Sequence, residues 1–162
     1  IGAIGQMILT VFKVSDWIYT RWSEDFENPA QMMIPVGNFI AAIGFGVYHH
    51  EYPHGPNYHG HIEYAQLARF WFGVAMLFAI VLFTITVRRT FHDLKNDNRT
   101  RYTLWVWLAT ASAVGPAYLT VFQDSADLLE ASNDIFYQSM WGIALFFFTI
   151  LGMGYVRGFF TY

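Results

Sequence analysis

The sequence predicts an all-α, polytopic membrane protein: about four transmembrane helices preceded by an interfacial, amphipathic N-terminal helix. Three observations predict it. First, the chain contains long apolar runs of the length that crosses a bilayer core, about 20 residues, without the alternation of a membrane barrel. Second, charge sorts between those runs. Between Val87 and Tyr102 lie Arg88, Arg89, Lys95, Arg99 and Arg101 against Asp93 and Asp97, whereas between Phe122 and Ile135 lie Asp124, Asp127, Glu130 and Asp134 with no Lys or Arg. One basic and one acidic connection at opposite ends of apolar runs is the positive-inside pattern. Third, the chain is 55% hydrophobic and 13% charged, about half the ~25% charged share of soluble domains.

Taken in order, residues 1–30 read as an N-terminal arm and 31–162 as a transmembrane bundle. In the arm, Ile4, Met7, Ile8, Val11 and Phe12 recur at helical spacing, and Trp17, Tyr19 and Trp22 are interface-type aromatics. This predicts a helix lying on the membrane or docked on a partner, with a truncated extra span as the alternative. The first span, about 31–48, is short and carries Pro35 and Asn38, and Asn38 is placed to bond a carbonyl freed by the proline. The second, 66–87, is the strongest. Its one charge, Arg69, lies near an end and can snorkel. The third, 102–122, is expected to kink or loosen at Gly115-Pro116, and the fourth, 135–156, ends at Arg157.

The charge rule puts the 88–101 loop on the cytoplasmic, matrix or stromal side of a bacterial, archaeal or organellar inner membrane. The 49–65 and 123–134 loops then lie on the other side. Small residues four apart (Ala42 and Gly46, Ala75 and Ala79, Ala109, Ala113 and Ala117, Gly154 and Gly158) predict seams where helices approach closely, because lipid gives helices no hydrophobic reason to associate.

Function classes narrow by exclusion. A net charge of −3 gives no footprint for nucleic acid. Zero Cys removes disulfides, thiolate metal sites and cysteine nucleophiles. No Asp, Glu, Lys or His falls in the central part of any span, which disfavours proton relays, voltage sensors and a retinal Schiff base. Asn38 and the span Ser, Thr and Gln residues are expected to bond backbone or neighbouring helices. The aromatic clusters Phe70-Trp71-Phe72, Trp105/Trp107 and Phe146-Phe147-Phe148 read first as lipid-facing and packing surface, ahead of a pigment or quinone slot.

Five of six histidines fall between His49 and His61: His49, His50, His54, His59 and His61. Imidazole suits copper or zinc, and His59-Gly60-His61 can aim two rings at one ion where the backbone is extended. His49, His50 or His54 would add a third ligand and Glu51 or Glu63 a carboxylate. An interfacial turn without metal is the leading reading of this loop. The short four-span layout with a histidine-bearing outer loop is similar to several membrane oxidoreductase subunits, with no motif that carries residues across. The expectation is therefore a non-catalytic integral subunit of an energy-converting or oxidoreductase complex, contacting lipids and other membrane subunits. A copper- or zinc-binding subunit of a membrane oxygenase ranks second. A small-solute channel or carrier ranks third, because nothing charged lines a path.

Overall fold

The structure, a computed structural model, describes residues 2–19, 29–51, 64–93, 105–122 and 134–160. Five α-helices account for nearly all of them: α1 (Gly2–Tyr19), α2 (Met33–Glu51), α3 (Tyr64–Asp93), α4 (Trp105–Phe122) and α5 (Ile135–Phe160). A 3-10 turn over Pro29–Met32 leads into α2. Helices are what the sequence requires in lipid, where every backbone N–H and C=O must be satisfied within its own segment. Three helices are long and apolar enough to cross a membrane, α3 over Tyr64–Val87, α4 over Trp105–Phe122 and α5 over Ile135–Gly154, and Met33–His49 is a shorter apolar helix.

Several expected boundaries move. At 30 residues, α3 is about 45 Å long and overruns a ~30 Å core. Residues 88–93, expected as loop, are its last turns. Likewise α2 continues through His49, His50 and Glu51. Pro35 falls in the first turn of α2, where a backbone N–H has no partner inside the helix. Pro116 lies inside α4, which runs through it unbroken.

From α2 onward, consecutive helices run antiparallel. Phe39 meets Phe72 and Tyr48 meets Tyr64 between α2 and α3. Phe83 meets Trp107 and Phe72 meets Phe122 between α3 and α4. Tyr118 meets Phe136 and Trp105 meets Phe148 between α4 and α5. The α3-to-α4 and α4-to-α5 connections therefore leave opposite ends of the bundle.

The core lies between α2, α3 and α4, around Phe39, Ala42, Ala75, Val114 and Ala117. A second cluster joins Met32, Leu82 and Trp107 toward the α3-to-α4 end. The small-residue seams divide. Ala42 and Gly46 are buried, and a Cβ on Gly46 would stand 2.5 Å from the Thr120 carbonyl oxygen, so α2 and α4 approach backbone to backbone there. Ala75 and Ala117 are also fully buried, whereas Ala109 and Gly154 are exposed.

Candidate functional site

Of the five histidines expected to gather, the structure describes two, both in the last turn of α2. His49 is half-buried there. His54, His59 and His61 lie outside the described residues, as does Glu63. Among the described residues no group of three or more His, Asp or Glu comes together.

The polar features that the bundle does build are elsewhere. On α1, Gln6 and Thr10 sit one turn apart and face α2, while Ile4, Met7, Ile8, Val11 and Phe12 are exposed. The apolar stripe thus points away from the bundle and the polar pair points in. In lipid this is the economical arrangement, because apolar side chains are as well solvated by acyl chains as by protein and polar ones are not. Gly37 makes the approach possible: a Cβ there would stand 2.6 Å from the Gln6 carboxamide.

Gln6 Nε2 donates to the Ile34 carbonyl at 3.3 Å and to Asn38 Oδ1 at 3.2 Å. The Thr10 hydroxyl lies 2.8 Å from the Gln6 carbonyl and 3.2 Å from Asn38 Oδ1, sharing its one proton between them. Asn38 is fully buried. Its role is therefore not the one expected. Pro35, in the first turn, frees no carbonyl within α2 for it to bond, and Asn38 serves instead as the acceptor that fastens α1. Its amide nitrogen, Nδ2, has no partner.

A second buried donor is also unpaired. Trp107 on α4 packs edge-on against Phe83 and Phe147 at 5.2 and 5.8 Å between ring centroids. Its indole Nε1 is without an acceptor. An unsatisfied buried polar group costs about 1–3 kcal/mol, so each requires an explanation. The span hydroxyls show how unusual these two are. Thr84, Thr86, Thr110, Ser112, Thr120, Ser139 and Thr149 each donate to a carbonyl three or four residues back in their own helix. Both unpaired buried side-chain atoms among the described residues are thus N–H donors.

Beside the Gln6–Asn38 contact, α1 and α2 part to leave a cleft of about 630 Å³ running past Gly44 to Tyr48 and Tyr64. Sequence reasoning named Asn38 but missed Gln6 and Thr10. The available signal was their i, i+4 spacing on a helix otherwise read for its apolar stripe. It counted Asp134 only as an acidic residue between spans and missed its cap: Asp134 Oδ1 accepts the Tyr137 backbone N–H at 2.9 Å at the start of α5.

The aromatic clusters are partly as expected. Trp71, Phe72 and Trp107 are buried in the packing, and Phe70, Phe146 and Phe148 face outward.

No curated relative and no solved structure matches the chain. The family described as SLAC1, voltage-dependent anion channel, matches residues 1–162. The match takes in every helix described above, and the chain belongs to the SLAC1 family of polytopic membrane proteins.

Proposed function

We propose that this protein passes anions across a membrane. The observation that carries the reading is the family match over residues 1–162. Of the three classes set out from sequence, it favours the channel or carrier, ranked last, over the packing subunit, and it lends nothing to an oxidoreductase role.

The ranking rested on the premise that an ion path needs charged walls, and for anions that premise fails. A fixed cation attracts an anion at 4 Å by about 4 kcal/mol at an effective dielectric of 20. A hydrogen bond to a charged group contributes about 1.5–3 kcal/mol. Conduction requires sites favourable enough to enter and weak enough to leave, which neutral N–H donors meet. Asn38 Nδ2 and Trp107 Nε1 are donors of that kind, unpaired and buried on the two central helices α2 and α4.

The charge asymmetry supports an orientation with the 88–101 segment on the cytoplasmic side. A single Cys at Asn96 and another at Ser125 should label from opposite faces of oriented vesicles. Labelling from one face would overturn that orientation.

Function is tested in sealed liposomes loaded with a halide-quenched dye. The reconstituted protein should carry halide inward at a rate that scales with protein and is unaffected by exchanging K⁺ for Na⁺. Uptake equal to protein-free liposomes, from protein that elutes monodisperse, would refute the proposal.

A further inference from the structure

A buried carboxamide has two arms of opposite sign, and the arm left free decides which ions it can hold. Its oxygen accepts, as the ligands of a hard cation do. Its nitrogen donates, as an anion requires. The two arms are nearly the same size and shape, so the polarity of Asn38 must be set by its neighbours.

That polarity traces back to a backbone carbonyl. The Ile34 oxygen can only accept, and the Gln6 carboxamide faces it through Nε2 at 3.3 Å. Turned the other way, Gln6 would bring Oε1 against that oxygen, two acceptors with no proton between them. Nε2 therefore faces α2, and it also stands 3.2 Å from Asn38 Oδ1. A donor at that place selects the oxygen of Asn38 as its partner. Nδ2 is left on the other arm of the planar group, turned from Gln6 and unpaired. Each step is fixed by the one before it, starting from a carbonyl whose direction the helix sets.

The two neighbours of this relay have different parts. The Thr10 hydroxyl, 3.2 Å from Oδ1, can donate or accept and would tolerate either arm of Asn38, so it does not choose between them. Gly37 provides the room in which Gln6 sits: a Cβ there would stand 2.6 Å from both Nε2 and Oε1, and the carboxamide would have to leave.

We propose that Gln6 is a positioning residue for anion recognition, holding Asn38 with its N–H free and so setting the sign of the ion that this site takes. The inference rests on the reading of Asn38 as a donor to passing anions. Asn38 is fully buried, so the ion meets Nδ2 when the helices around it part.

The test uses the full chain in nanodiscs, isotopically labelled at asparagine nitrogen. The side-chain amide signal of Asn38 is identified by its loss in Asn38→Leu. Replacing gluconate by chloride at constant ionic strength should shift that signal along a saturating curve. Gln6→Leu removes the donor, and Gly37→Ala displaces the Gln6 carboxamide while keeping both amides in the chain. Each should raise the half-saturating chloride concentration by about tenfold, the order expected for losing one hydrogen bond to a charged group. Gly37→Ala also exchanges glycine for the best helix former, and serves should Gln6→Leu fail to fold. Thr10→Val deletes a hydrogen bond of the same contact without touching the relay, and should leave the curve in place. A signal indifferent to chloride in the unsubstituted protein would overturn the proposal, as would the same curve for that protein and Gly37→Ala. Equal shifts for Thr10→Val and Gly37→Ala would overturn it too, since any loosening of α1 would then suffice. Halide uptake in liposomes reports separately on passage: a chloride-sensitive, Gln6-dependent signal without uptake would refute passage and keep the relay, and uptake with a silent signal would do the reverse.

Discussion

Helices α4 and α5 are equally apolar on average, yet 39% of the membrane-crossing window of α4 is buried against 6% of that of α5. Hydropathy does not account for the difference; their neighbours do, since α4 packs against α2, α3 and α5 whereas α5 packs chiefly against α4. Along α4 the buried positions include Ala111, Gly115 and Ala117, small enough for neighbouring helices to close on the backbone. At Gly115 a Cβ would come within 3.1 Å of the Tyr137 ring. Glycines of α5 do nothing comparable: a Cβ at Gly142, Gly152 or Gly154 would meet nothing within 4 Å. Its large residues, Ile143, Leu145, Phe146, Phe148 and Ile150, face outward. In a bilayer, burial follows the chance of close approach, because lipid solvates Leu and Phe as well as protein does. The central helices are those that can be approached.

Substitutions can break this contrast, and the largest effect is expected in the core. Phe39 is fully buried against Phe72. Phe39→Ala should cost close to ~3 kcal/mol, the low end of the range for soluble cores, since lipid removes part of the transfer penalty but not the lost packing. Leu145→Ala on the outside of α5 should stay within about 0.5 kcal/mol. Thermal unfolding in one detergent compares the two, and equal losses would erase the distinction between the helices. Next comes Gly46→Leu, which drives α2 from the Thr120 carbonyl and should cost about 1–3 kcal/mol of overpacking. Gly142→Leu should be silent by the same assay.

Smaller effects sharpen the picture at the polar contacts. Asp134→Ala removes the cap of α5 and should cost about 1 kcal/mol, read as faster amide exchange confined to the first turn after Ile135. Protection unchanged there would mean the cap is idle. Smallest is the coupling between Gln6 and Asn38. A double-mutant cycle to Ala should give about 0.6 kcal/mol, the average for hydrogen bonds between membrane helices. A coupling indistinguishable from zero would detach α1 from its proposed anchor.

How much of this was legible in the sequence follows from the same physics. Lipid forces each crossing segment to satisfy its own backbone, so the runs now seen as α3, α4 and α5 were readable from local composition. The ends were less so. Residues 88–93 and 49–51 are helical because a helix does not stop where polarity begins, and neither stretch carries Gly or Pro to stop it. Asn38 stood out as a polar residue in an apolar run, but its partners are 28 and 32 residues away on α1. No local pattern reports a contact at that distance. The stripe Ile4, Met7, Ile8, Val11 and Phe12 marked the face of α1 that points away from the bundle, but it drew attention from the polar pair Gln6 and Thr10 on the face that docks on α2. The density of histidines between His49 and His61 was the most conspicuous signal, and the unpaired N–H groups of Asn38 and Trp107 the least. Being unpaired is a property of three-dimensional neighbours, and sequence carries no trace of it.

Anion passage itself is most directly tested by the sign of a reversal potential. With the protein in a planar bilayer under a KCl gradient, the current should reverse near the equilibrium potential of chloride, and Asn38→Asp should reduce that current by placing a carboxylate where an N–H donor stood. Reversal near the potassium potential would contradict the account at its centre.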